Sequence, residues 1–166
     1  MDDIARAAGT SRTSVFNYFG YKEMILCEIG ARYVAEIAGT ALAARSRRRT
    51  PRGLLMDMAD TLAVIAARDP VVVAAVAREM THPDPQRRQQ ANETMGHGAV
   101  VDTALDALEG AGQLRDGRLR QSYARMILDM AAGALVRAGG DFPMARLRTE
   151  LRHNVDVFLS GVTAPR

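Results

Sequence analysis

Between Arg12 and Lys22 the chain carries Arg12, Thr13, Ser14, Asn17, Tyr18 and Lys22, six side chains whose types suit one kind of chemistry. An asparagine offers a donor and an acceptor side by side and pairs bidentately with the edge of adenine. The short hydroxyls of Thr13 and Ser14 reach base edges or phosphates, while Arg12, Tyr18 and Lys22 hold a sugar-phosphate backbone. This is the chemistry of reading a duplex, not of turning over a substrate. The residues that would support an enzyme are scattered: His82, His97 and His153 lack metal-ligand spacing, and no serine or cysteine stands in a nucleophile motif. No glycine loop of the phosphate-cradling kind occurs. The expectation is therefore a protein that is not an enzyme, without metal or cofactor.

Two short helices around a tight turn must position the reading groups. The first is expected to start at Asp2, whose carboxylate would cap free amides, with Ile4 and Ala8 on its apolar side. Gly9 stops it, Gly9-Thr10-Ser11 makes the turn, and the Ser11 hydroxyl caps a second helix from Arg12. At about 100° per residue, Val15 and Phe19 share one face of that helix. Thr13, Ser14 and Asn17 point the other way, with Tyr18 at the flank, so the helix would lie in the major groove.

Ile4-Ala5, Ala8-Gly9-Thr10-Ser11, Ser14, Phe16-Asn17-Tyr18-Phe19 and Lys22-Glu23 together resemble the tetracycline-repressor (TetR) family of bacterial transcriptional regulators, in order and in spacing. The resemblance implies an all-α protein: residues 1–23 as a partial helix-turn-helix headpiece, and 24–166 as a helical regulatory and dimerisation domain. It implies a double-stranded DNA operator as partner, with Lys22 against a phosphate. It also implies repression released by a small apolar or amphipathic effector, whose binding shifts the body and spoils the spacing of two readers. The family places a further helix ahead of the position of Met1, so the headpiece is expected to be incomplete here, with Ile4, Ala8, Val15 and Phe19 left for it to cover. An alternative follows: a dimerising effector-binding module that has lost DNA binding.

The totals fit this outline. With 48% hydrophobic residues in 166 the chain can build a core, and its apolar runs, such as Val71 to Ala77, fall far short of a membrane span. A cytoplasmic protein without membrane contact is expected. Residues 1–52 hold nine basic and five acidic side chains, against thirteen and fourteen in the rest, so the positive excess sits with the DNA reader. Cys27 is the one cysteine, which excludes an internal disulfide and leaves a small buried apolar residue.

Beyond Lys22 the spacing predicts a helix from Tyr21 into the mid-forties, carrying Met24, Ile25, Ile29, Tyr33, Ile37 and Leu42 as a stripe. Arg45, Arg47, Arg48, Arg49 and Arg52 make a basic cluster, read as a solvated helix end in preference to a second DNA contact, before a turn expected at Pro51-Arg52-Gly53. Further helices are expected over 53–67, 70–80, 86–109, 117–138 and 143–160, with Asp69-Pro70 and Asp84-Pro85 as starts and Asp116 and Asp141 in similar roles. Glycines 110, 112, 139, 140 and 161 stand near their ends, and Gly96 and Gly98 around His97 hint at a break. In the last helix Met144, Leu147, Leu151, Val155 and Phe158 follow steps of three and four, and Tyr123, Met126, Ile127, Met130, Ala134 and Leu135 line one side of the helix before it. The resemblance implies a homodimer through these two helices of each subunit; core packing within one chain accounts for the same stripes. A methionine-rich interior could line an adjustable apolar pocket. Met58, Met95, His97, Tyr123 and Met126 are the candidates for a ligand site.

Overall fold

The computed structural model of the chain describes residues 1–139 and 144–164. It is built from α1 (Asp2–Ala7), α2 (Arg12–Phe19), α3 (Glu23–Ser46), α4 (Pro51–Arg68), α5 (Pro70–Met80), α6 (Pro85–Met95), α7 (Gly98–Gly110), a 3-10 turn (Gly117–Leu119), α8 (Arg120–Ala138) and α9 (Met144–Val162). There is no strand among the described residues, only an isolated antiparallel bridge between Leu114 and Thr163. The all-α expectation holds.

Local chemistry explains most boundaries. The side chain of Thr50 accepts the Gly53 amide at 3.1 Å, that of Asp69 the Val72 amide at 3.1 Å, and that of Asp84 the Gln86 amide at 2.9 Å. Each of these caps precedes a proline, which needs no amide partner in the first turn. Four expectations need correction. Asp2 lies inside α1 and caps nothing; it pairs instead with Arg12 at 3.4 Å, and Met1 takes the cap position. Pro51-Arg52-Gly53 is the first turn of α4, because Thr50 captures the Gly53 amide, and the chain turns earlier, through Arg48 at φ 52°. The single helix expected over 86–109 is two. Gly96 adopts φ 68° and its amide closes on the Asn92 carbonyl, ending α6 in a left-handed residue that side chains resist. The helix expected from 117 opens as a 3-10 turn, with Asp116 accepting the Arg118 amide. Gly140 and Asp141 lie outside the described residues, as does the side chain of Met144.

Helices α3 to α5 and α7 to α9 enclose one apolar core, to which Leu54, Leu55, Ile65, Leu105, Leu108 and Phe158 contribute fully buried side chains. A satellite cluster of Cys27, Val76, Ala91 and Met95 joins α3 to α5 and α6. There α3 comes so close that a Cβ on Gly30 would stand 2.6 Å from the Met95 sulfur and 2.9 Å from a Val76 methyl. On α9, Leu147, Leu151, Val155 and Phe158 all face this core. The stripe read from sequence therefore packs within the chain, since α9 lies along α4 and α8. The outer side of the pair is a different set: Met126 and Val157 are exposed, and a Cβ on Gly161 would touch the Met126 methyl at 4.0 Å.

Candidate DNA-reading helix and apolar cavity

Helix α2 forms as its residues dictate. The Ser11 hydroxyl accepts the Ser14 amide at 3.0 Å, and the preceding turn passes through Gly9 at φ 62°. Val15 is buried and Phe19 half-buried on the inner side, against Ala5 of α1. Thr13, Asn17 and Tyr18 are exposed, Tyr18 to 84%. Ser14 is half-buried and shares its hydroxyl with Ser11 at 2.9 Å. Arg12 is also engaged: its guanidinium lies 5.3 Å over the Phe16 ring and 3.4 Å from Asp2. Lys22 stands at the start of α3 with its side chain 69% exposed. The six candidate residues thus lie on one short helix and the turn that follows it; Lys22 approaches Glu23 at 3.8 Å, and among the described residues Thr13, Asn17 and Tyr18 make no hydrogen bond or ion pair.

The first turn of α3, which follows α2 after Gly20, is fastened to the body by a charged cluster. Arg87 donates to both oxygens of Glu79 at 2.9 Å, approaches Glu23 at 3.9 Å, and lies over the Tyr21 ring at 5.7 Å. The Tyr21 hydroxyl donates to Gln90 at 3.0 Å. Glu79 is only 7% exposed, so its charge is supportable only because the guanidinium grips it with two bonds. Burial, and after it Glu79, pushes the Cys27 thiol up, which keeps it protonated and unreactive. No cluster read from sequence foreshadowed this one, because its members come from three helices.

Inside the body lies a cavity of about 150 Å³. Gly30, Tyr33, Val34 and Ile37 of α3 form one wall, and α4 to α9 supply the others through side chains such as Met58, Met80, Met95, Val101, Met130 and Val155. Of the ligand-site candidates, Met58, Met95 and His97 line it. Tyr123 does not: it is one turn along α8 from Ile127, packed into the core beyond the cavity's end. Nor does Met126, which is one residue, and so about 100°, away from Ile127, and borders a shallow depression outside α8 with Ser122, Arg125 and Asp129. Burial pushes the His97 imidazole down from its ordinary value, with the Asn92 carbonyl opposing. Among the described residues no three His, Cys, Asp or Glu side chains gather as a metal site, and no helix is long and apolar enough to cross a membrane.

A helical bundle with two short helices around a tight turn at its amino end is the build of a class of helical DNA-binding regulator. Residues 31–161 match the model for the C-terminal domain of TetR/AcrR family transcriptional repressors, and the chain belongs to that family of transcriptional regulators. Its structure is similar to that of FadR from Thermus thermophilus, a TetR family transcriptional repressor solved with lauroyl-CoA. The TM-score is 0.86 at 27% identity, over 99% of this chain and 85% of that one. PfmR, also from Thermus thermophilus, shares the fold at TM-score 0.58 and 20% identity, over 96% and 86% of the two chains. A TetR-family regulator from Mesorhizobium loti does so at 0.56 and 16%, over 98% and 86%. No curated protein matches the chain.

Proposed function

We propose that this chain is a repressor that reads a pseudo-palindromic operator as a homodimer and releases it when a small apolar or amphipathic effector fills the cavity. Residues 1–23 are the reader and 24–166 the sensing and pairing body. Asn17, Thr13 and Ser14 meet base edges, and Arg12, Tyr18 and Lys22 meet the backbone. The outer faces of α8 and α9, with Met126, Val157 and Gly161, pair with a second copy.

One observation carries the reading: the cavity wall formed by Gly30, Tyr33, Val34 and Ile37 belongs to the same helix whose first turn follows the reader. A ligand that pushes this wall moves α3 as a rod, and the reader with it. The ligand must prefer the released arrangement, and by linkage the operator must weaken the ligand by the same factor. That FadR was solved with lauroyl-CoA makes an acyl-CoA the first probe to try.

The test is a pair of titrations, using DNA flanking the chain's own gene and lauroyl-CoA. Saturating acyl-CoA should weaken DNA binding about 5- to 150-fold, and saturating DNA should weaken acyl-CoA binding equally. Equal ligand affinity with and without bound DNA would remove the coupling.

A further inference from the structure

Among the described residues, two buried side-chain atoms of the body make no hydrogen bond, Asn92 Oδ1 and His97 Nδ1, the Asn92 backbone carbonyl being the polar group that acts on the imidazole. Protein interiors rarely tolerate such atoms, and each asks for an explanation. They stand five residues apart at the break between α6 and α7, where Gly96 at φ 68° fixes the course of the backbone. His97 is 7% exposed and forms part of the cavity wall.

We propose that His97 is the polar anchor of this cavity, selecting a compact, mainly apolar ligand that carries one uncharged hydrogen-bonding group. The inference rests on the cavity being the effector site. Among the described residues no Arg, Lys, Asp or Glu lines the cavity, so a carboxylate or ammonium taken inside would meet no counter-charge from them. Of the other polar side chains in the wall, Asn154 already donates to the Met130 carbonyl at 3.2 Å, and the Tyr33 hydroxyl, pushed up by burial and then by Asp69, stands on the α3 side. The imidazole is the choice for orienting a guest because its Nδ1 is buried without a hydrogen bond. Burial keeps it neutral near pH 7, so it has one acceptor nitrogen and one donor nitrogen. A half-turn of the ring about Cβ–Cγ exchanges each nitrogen with a carbon position, so the anchor requires no backbone movement to change which edge meets the guest. A hydroxyl, which both donates and accepts, satisfies either tautomer. The volume sets the size: an apolar cavity of about 150 Å³ takes a benzene-sized body, and movement of Met58, Met80, Met95 and Met130 would admit a longer one.

Benzyl alcohol, toluene and benzoate share a ring and differ in the group it carries, so they separate the anchor from the cavity. Titrated into the full chain by calorimetry, benzyl alcohol should bind about tenfold tighter than toluene, with benzoate weaker than both. In ¹⁵N-histidine NMR the His97 ring nitrogens should shift with benzyl alcohol and hold still with toluene. His97→Phe should keep toluene binding and erase the alcohol's advantage, and His97→Gln should restore part of it. If toluene and benzyl alcohol bind alike, or the preference survives in His97→Phe, the anchor is overturned and the cavity stands. If neither binds, the anchor for a compact ligand is overturned, and the acyl-CoA titration decides separately whether the cavity is the effector site. Should His97→Phe not fold, the ring nitrogens of the unaltered chain decide, and an unmoved signal overturns the anchor.

Discussion

The reader and the body solve opposite problems with the same secondary structure. Helices α1 and α2 bury little more than Ala5 and Val15 and leave their polar groups outward, whereas α3 to α9 bury side chains from every helix and line an apolar cavity among them. Chemistry at the reader is local: Thr13, Ser14 and Asn17 fall within five consecutive residues, and one helical repeat aims them. Chemistry in the body is distributed, since no helix supplies more than a strip of the cavity wall. The difference teaches where each part is vulnerable. On the proposed roles, stability resides in the body and recognition in the reader, with α3 as the link between them.

Removing apolar contacts on the two sides should separate these roles most strongly. Phe158 is 1% exposed at the centre of the core, and Phe158→Ala should cost about 3–5 kcal/mol of global stability by denaturant unfolding. Val15→Ala should cost about 1–2 kcal/mol locally. It should weaken DNA binding while leaving the body's unfolding midpoint in place. A common shift of that midpoint by both variants would mean that reader and body unfold as one unit.

Within the reader, two substitutions should fail in different ways. Under the proposed roles, Asn17→Ala should lose roughly 1–3 kcal/mol of discrimination at one or two base pairs, with unchanged thermal stability. Lys22→Ala should weaken binding evenly across sequences and lower the salt slope by about one unit. Affinity measured against single-base operator variants at several salt concentrations distinguishes them. If Asn17→Ala leaves base preference intact, its assignment to a base edge is wrong.

The same contrast explains what could be read in the residues before any coordinates. The cap at Ser11, the turn at Gly9 and the inward Val15 follow from neighbours within four positions, and they stand as expected. Asp69 and Asp84 were similarly plain, each a capping acid before a proline. Periodicity alone could not say what a stripe packs against. The apolar series on α9 reads equally as an interface or a core, and α4 and α8 claim it as core. For the cavity, residue type pointed to methionines, but which ones face inward depends on the rotation of α8 by a single residue, which excludes Met126 and admits Ile127. The Glu79–Arg87–Tyr21 cluster was illegible because its members are brought together only by the packing of α3 against α5 and α6.

The smallest expected effect concerns charge in the body. Asp60 on α4 accepts from Arg148 at 2.9 and 3.0 Å and from Arg152 at 2.7 Å, tying α4 to α9 across the bundle. The Arg148 hydrogen bonds, helped by Arg152 and opposed by burial, hold its carboxyl below the usual carboxylate range. A carboxyl depressed in the folded state contributes its stability above its unfolded value, about 3.9, and loses it as the pH falls through the folded value. Unfolding free energy should therefore decline on acidification below about pH 4, and Asp60→Asn should flatten part of that decline. Because the carboxylate is partly exposed, the change should be smaller than for Phe158→Ala. Denaturant midpoints at pH 7, 4 and 3 give the comparison. A variant that tracks the parent at all three would mean that the α4–α9 ion pairs hold geometry without contributing stability, leaving the body's resistance to unfolding entirely to its apolar core.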